Sequence, residues 1–164
     1  MNPAVETLET GSGTVLVVDD EEDILTVVAE MLQVMGFDVL TAGGGRDAVA
    51  LFRKKKNEID LVVLDMIMPE MDGQETFIKL KEIHKGVKVL FQTGYSLDGI
   101  KGLAVDGGCA GVIQKPFTID VLSRKIKSAL NSAREIQVKK RMPPECTPVS
   151  QILDSASGYG YLGN

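Results

Sequence analysis

Five residues in this chain have side chains that could do chemistry together: the acidic pair Asp19 and Asp20, the carboxylate Asp65, the hydroxyl of Thr93 and the ammonium of Lys115. The acidic pair and each of the other three stand at the end of an apolar run. Several carboxylates held together repel one another, so such a cluster calls for a cation, and an all-oxygen donor set favours a hard divalent metal such as Mg2+. A carboxylate is also a competent nucleophile toward electrophilic phosphorus, which is the chemistry of aspartyl-phosphate formation. Asp65 is the candidate nucleophile. Thr93 and Lys115 would stabilise the transferred oxygens, the first by hydrogen bonding and the second by charge. Each residue also has a plainer reading: Asp19 and Asp20 as a helix cap, Asp65 and Thr93 as turn residues, Lys115 as a surface charge before Pro116. Singly, those readings are at least as good. Their coincidence at strand ends around one crevice is what favours a site.

The elements that must position these groups follow from the hydrophobic pattern. Thr14 to Val18 reads as a buried strand, and Leu61 to Leu64, bounded by Asp60 and with Asp65 at its exit, reads as a central strand buried on both faces that leads into the loop Met66-Ile67-Met68-Pro69-Glu70-Met71-Asp72-Gly73. Further strands are expected at Phe37 to Ala42, Val87 to Thr93 and Ala110 to Gln114. Between them, apolar residues at three- and four-residue spacing mark helices: Ile24 to Met35 closed by Gly36, Ala48 to Phe52 ended by Arg53-Lys54-Lys55-Lys56, and Phe77 to Ile83. Ser96 to Gly108 predicts a short, labile helix interrupted by glycines. A last helix starts after Thr118 and runs to Lys139-Lys140-Arg141. Strands alternating with helices imply an α/β fold, a doubly wound, flavodoxin-like parallel sheet of five strands in the order 2-1-3-4-5 with helices on both faces. That order places strands 1 and 3 side by side, which brings Asp19 and Asp20 next to Asp65 with Thr93 and Lys115 across the same crevice.

Composition bounds the rest. A length of 164 residues suits one domain, with 44% hydrophobic and 25% charged residues, and no apolar run long enough for a bilayer. The expected organisation is a flexible lead at 1–13, a domain at 14–131, and a helix extension with a mostly unstructured tail at 132–164. The first ten residues lack the basic start and apolar stretch of a secretory signal, so a cytoplasmic location is expected. A net charge of −5 argues against a direct nucleic-acid partner, which needs a basic face. Cys109 and Cys146 have no metal-ligand spacing and read as reduced thiols, and His84, the single histidine, reads as a solvated helix terminus.

Val17-Val18-Asp19-Asp20-Glu21, Leu64-Asp65 through Asp72-Gly73, Thr93-Gly94-Tyr95 and Gln114-Lys115-Pro116-Phe117 together resemble the motifs of receiver domains from two-component response regulators, over Thr14 to Asn131. The resemblance implies that Asp65 accepts a phosphoryl group from the phosphohistidine of a sensor histidine kinase or phosphotransfer protein. It implies Mg2+ held by Asp20, Asp65 and the backbone carbonyl of Ile67, with Asp19 acting through water, and Thr93 and Lys115 on the phosphoryl group. It also implies a cis Lys115-Pro116 bond. Val112 departs from the family, which often carries an aromatic residue there that reports phosphorylation. Tyr95 sits where family side chains influence acyl-phosphate hydrolysis.

On this reading the chain is a phosphoacceptor in a phosphorelay rather than a turnover enzyme. Its output would be a protein contact through the surface of the fourth helix, fifth strand and last helix. It would be either a stand-alone regulator or the receiver portion of a hybrid kinase. Three alternatives stand beside it. Gly43-Gly44-Gly45-Arg46-Asp47-Ala48 loosely fits a nucleotide-binding G-x-G-x-x-A pattern, but after the second strand instead of the first. An Asp-nucleophile phosphatase would resemble its kind in an Asp-x-Asp motif, and Ile67 occupies the second Asp position. The third alternative is a receiver-like interaction module that works without phosphorylation.

Overall fold

The computed structural model describes residues 11–95 and 109–141, of which 132–141 are described as backbone only. The expected labile helix at Ser96 to Gly108 lies outside the described residues, as do Cys146 and the tail after Arg141. Among the described residues nine elements follow in chain order: β1 (Thr14–Val18), α1 (Glu22–Val34), β2 (Asp38–Ala42), α2 (Gly45–Lys55), β3 (Ile59–Asp65), α3 (Gly73–Ile83), β4 (Val89–Thr93), β5 (Cys109–Gln114) and α4 (Ile119–Arg141). The five strands form one sheet in the order β2-β1-β3-β4-β5, with every neighbouring pair parallel. The chain divides into two compact units, Met1–Ser132 and Ala133–Asn164, and the sheet lies in the first.

Strand alternation sorts the apolar residues into two cores, because successive side chains point to opposite faces. Val15, Val17, Leu61, Val63, Leu90 and Ile113 face α1 and α4, where Val28, Leu32, Leu122, Ile126 and Ala129 cover them. Leu16, Val18, Val62, Leu64, Val89 and Phe91 face α2 and α3, where Ala48, Phe52, Phe77 and Leu80 cover them. β1 and β3 are therefore sealed on both sides, which is why their sequences are unbroken aliphatic runs instead of alternating ones.

Two strands begin later than expected, each for a local reason. Phe37 belongs to the end of α1, not to β2. Its N–H donates to the Leu32 carbonyl (3.1 Å), while Gly36 N–H donates to Gln33 (2.9 Å), the paired bonds of a Schellman cap. Gly36 adopts φ +90° to make that turn. Similarly, the Val87 N–H donates to the His84 carbonyl (3.0 Å), so β4 begins only at Val89. His84 is exposed at the α3 terminus, as expected. α3 is capped by Asp72, whose carboxylate accepts from the Glu75 N–H at 2.8 Å. The Thr118 carbonyl accepts from Leu122 N–H at the start of α4. Among the described residues no helix is long and apolar enough to cross a membrane.

Gly36→Ala should lower stability by about 1–2 kcal/mol, the usual cost of a Cβ in the left-handed region. Gly43→Ala, which meets open space, should stay within about 0.5 kcal/mol of the parent. Urea unfolding of the two variants beside the parent checks this, and equal losses would contradict the assigned cap.

Candidate functional site

The site is built by strand register. Val18 on β1 pairs with Leu64 on β3, so the next residues, Asp19 and Asp65, emerge side by side at the carboxyl edge of the sheet. β4 is aligned so that Gln92 stands opposite Asp65, and β5 so that Gln114 stands opposite Thr93. The Lys115 N–H then donates to the Thr93 carbonyl at 2.7 Å, which ties the exits of β4 and β5 together. The peptide between Lys115 and Pro116 is cis.

Asp19, Asp20 and Asp65 each place a carboxylate oxygen within 4.8 Å of the others. Asp19 is fully buried and Asp65 nearly so, whereas Asp20 is exposed. The donor set is entirely oxygen and one donor faces water. This suits a hard cation that keeps part of its hydration, so the residues present fit Mg2+. Lys115 reaches in from β5, with Nζ 2.8 Å from Asp19 Oδ2 and 3.4 Å from Asp65 Oδ1. The glycine at the foot of the loop is required by closeness: a Cβ on Gly73 would collide with the Asp65 carbonyl and lie 2.8 Å from Met66 Cα.

The electrostatics follow from burying like charges together. Burial pushes the Asp65 carboxyl up to about 6, and the negative charge of Asp19 adds to that. The Lys115 ammonium and the Ile67 N–H, both donors to Asp65, pull the other way. Burial pulls Lys115 down, but its hydrogen bonds and charge contacts with Asp19 and Asp65 outweigh this, and its pKa ends above the ordinary lysine value.

The structure thus gathers Asp19, Asp20, Asp65 and Lys115 directly and sets Thr93, which is buried, at the adjoining strand end. The Thr93 hydroxyl accepts from the Tyr95 N–H at 3.1 Å, and the Tyr95 ring is largely exposed. Ile67 lies at the site through its N–H, with its side chain in solvent. The capping reading of the acidic pair is not realised: Glu21 is the N-cap of α1 and has no side-chain capping bond, while Asp19 accepts from the Glu21 N–H at 3.0 Å. One buried participant escaped sequence reasoning. Gln92 donates from Nε2 to Asp19 Oδ2 at 2.7 Å, and the only sign of it was an amide inside the apolar run Val89-Leu90-Phe91.

The profile described as the response regulator receiver domain matches residues 15–127. The chain belongs to that family. Receiver domains are the phosphoacceptor components of two-component signalling, and this is a signalling domain of that kind. The chain is 35% identical over 121 residues to the sensor kinase CckA of Brucella abortus, a match covering 73% of this chain and 13% of that protein. A receiver domain structure from Clostridium thermocellum superposes with a TM-score of 0.70 at 31% identity, covering 76% of this chain and 98% of the other. The Borrelia burgdorferi CheX-CheY complex with BeF3 and Mg2+ gives a TM-score of 0.68 at 26% identity, covering 71% and 87%. Across the first curated relatives the receiver spans between 13% and 55% of their length.

The nucleotide-binding alternative has a structural counter-explanation. Gly43 to Gly45 follows the edge strand β2, and Gly45 is small because α2 begins hard against the Thr76 hydroxyl and Met71.

The raised Asp65 pKa sets a pH dependence in metal-free buffer. The folded protein holds the Asp65 proton up to about pH 6, whereas the unfolded chain releases it near pH 3.8. The contribution of this group to stability is thus present below pH 3.8 and lost as pH rises through 6. Asp65→Asn should therefore gain stability over the parent progressively from pH 4 to pH 7. Paired urea titrations across that range check this, and a constant difference would contradict the buried carboxylate cluster.

Proposed function

We propose that Asp65 is the phosphoacceptor of this receiver, that Asp19, Asp20, Asp65 and the Ile67 carbonyl hold Mg2+, and that Thr93 and Lys115 bind the transferred phosphoryl oxygens. The observation that carries this reading is the gathering of three carboxylates and one lysine at the β1–β3 edge, with Lys115 within reach of both buried acids. A carboxylate oxygen of Asp65 attacks the phosphorus of a phosphohistidine. The new O–P bond forms as the N–P bond breaks, and the imidazole leaves with the bonding pair. Bound Mg2+ supplies charge neutralisation that lets an anionic nucleophile meet an anionic phosphoryl group. Lys115 adds a second positive charge, and the Thr93 hydroxyl, whose oxygen accepts from the Tyr95 N–H, has its own hydrogen to donate to a phosphoryl oxygen. The B. burgdorferi CheX-CheY complex with BeF3 and Mg2+ supports the same pairing of phosphoryl site and metal here.

The donor in this reading is a sensor histidine kinase or a phosphotransfer protein, and the domain occupies 14–131 of a cytoplasmic chain. It catalyses only its own phosphorylation and dephosphorylation. The bond between Lys115 N–H and the Thr93 carbonyl couples the phosphoryl site to β5. A shift of Thr93 is therefore transmitted to β5 and to the start of α4 that follows it, where a protein partner would read it. Val112, half-buried on β5, offers no ring for that readout. The phosphorylation-independent alternative gives the placement of Lys115 between two acids the role of a counter-charge alone.

Incubation with acetyl phosphate, followed by intact mass measurement, tests the proposal. One phosphoryl adduct that requires Mg2+ and is abolished in Asp65→Asn is expected. An adduct that survives this substitution would move the acceptor elsewhere. No adduct, with Mg2+ binding verified calorimetrically, would favour an interaction module.

A further inference from the structure

Gln92 is fully buried on β4, on the sheet face where its neighbour Leu90 and its β5 partner Ile113 belong to the core under α1 and α4. An apolar side chain would serve packing there. Instead an amide is taken out of water, and among the described residues its Oε1 finds no hydrogen-bond partner. Leaving a buried acceptor unsatisfied is unfavourable. What the amide provides is a 2.7 Å bond from Nε2 to Asp19 Oδ2.

Asp19 Oδ2 therefore has two donors, Gln92 and Lys115, while Oδ1 accepts from Glu21 N–H. The two donors to Oδ2 differ in freedom. Lys115 hangs on a flexible stem and lies between Asp19 and Asp65, and it must shift toward the phosphoryl group if it is to bind it. Gln92 is fixed by its strand: it pairs in register with Asp65, and its backbone carbonyl accepts from Met66 N–H at 3.0 Å. When Lys115 moves, Gln92 is the donor that keeps the buried Asp19 carboxylate oriented.

We propose that Gln92 is a positioning residue that holds Asp19 for the metal independently of Lys115. The inference rests on the reading of Asp19, Asp20 and Asp65 as the Mg2+ site. A partner that orients a metal-binding carboxylate typically contributes tenfold or more to metal affinity.

The test compares the parent with Gln92→Met, which keeps length and volume, in two measurements: Mg2+ affinity by calorimetry, and the Mg2+ dependence of phosphorylation by acetyl phosphate. Mg2+ affinity in Gln92→Met should fall by about tenfold. The half-saturating Mg2+ concentration should rise to match, by more than the maximal rate falls. An affinity within twofold of the parent would overturn the proposal, as would a loss of maximal rate with unchanged half-saturation. A parent that binds no Mg2+ would overturn the metal reading itself, and this inference with it. Should Gln92→Met fail to fold, the parent alone decides. The Gln92 side-chain amide resonances should shift on addition of Mg2+ and stay protected from exchange when BeF3 is added. Unmoved or rapidly exchanging resonances would refute the role.

Discussion

The structure depends on one unfavourable act: placing the carboxylates of Asp19 and Asp65 together out of water, with Asp20 at their rim. Two buried negative charges a few ångströms apart cannot both remain ionised without a positive partner. In the absence of metal, that partner is Lys115, which sits closer to Asp19 than to Asp65. Asp19 has the shorter lysine contact together with the Gln92 amide and the Glu21 N–H, and at Asp65 burial, with the negative charge of Asp19, outweighs the lysine and pushes the carboxyl up.

Holding that cluster requires a scaffold that does not yield to the repulsion. A doubly wound parallel sheet supplies it, because β1 and β3 are sealed by helices on both faces and their register is fixed by every aliphatic residue along them. A one-residue slip of β3 against β1 would turn Val62 and Leu64 toward the wrong core and carry Asp65 away from Asp19. The rigid side of the site thus lies on β1 and β3. Across from it, the exits of β4 and β5 are tied together by the bond from the Lys115 N–H to the Thr93 carbonyl.

Much of this was legible in the chain itself. The aliphatic runs Thr14 to Val18 and Leu61 to Leu64, each ending in acid, identify the paired central strands, and the helical spacing between them requires parallel crossovers. What was not legible depended on partners distant in sequence. The start of β2 moved because Phe37 N–H finds the Leu32 carbonyl, a choice that propensity does not report. Gln92 looked like one polar residue in an apolar strand, and its meaning emerges only when Asp19, 73 positions earlier, is seen to accept its hydrogen bond. Likewise, Lys115 resembles a surface charge before Pro116 until it is placed between two buried acids.

The pairing of Lys115 with Asp19 also bears on how such a site changes state. The lysine that a phosphoryl group would attract already serves as the counter-charge of the acidic cluster. Moving it toward Asp65 therefore leaves Asp19 with less positive charge than before. A divalent cation held by the three carboxylates would reverse that deficit, because its charge exceeds the one being withdrawn. Its binding and the release of the lysine would then be linked through Asp19, each making the other less unfavourable. The full burial of Asp19 would strengthen that linkage. Had Asp19 been exposed like Asp20, solvent would screen the lysine's withdrawal, and the coupling between metal and switch would be weak.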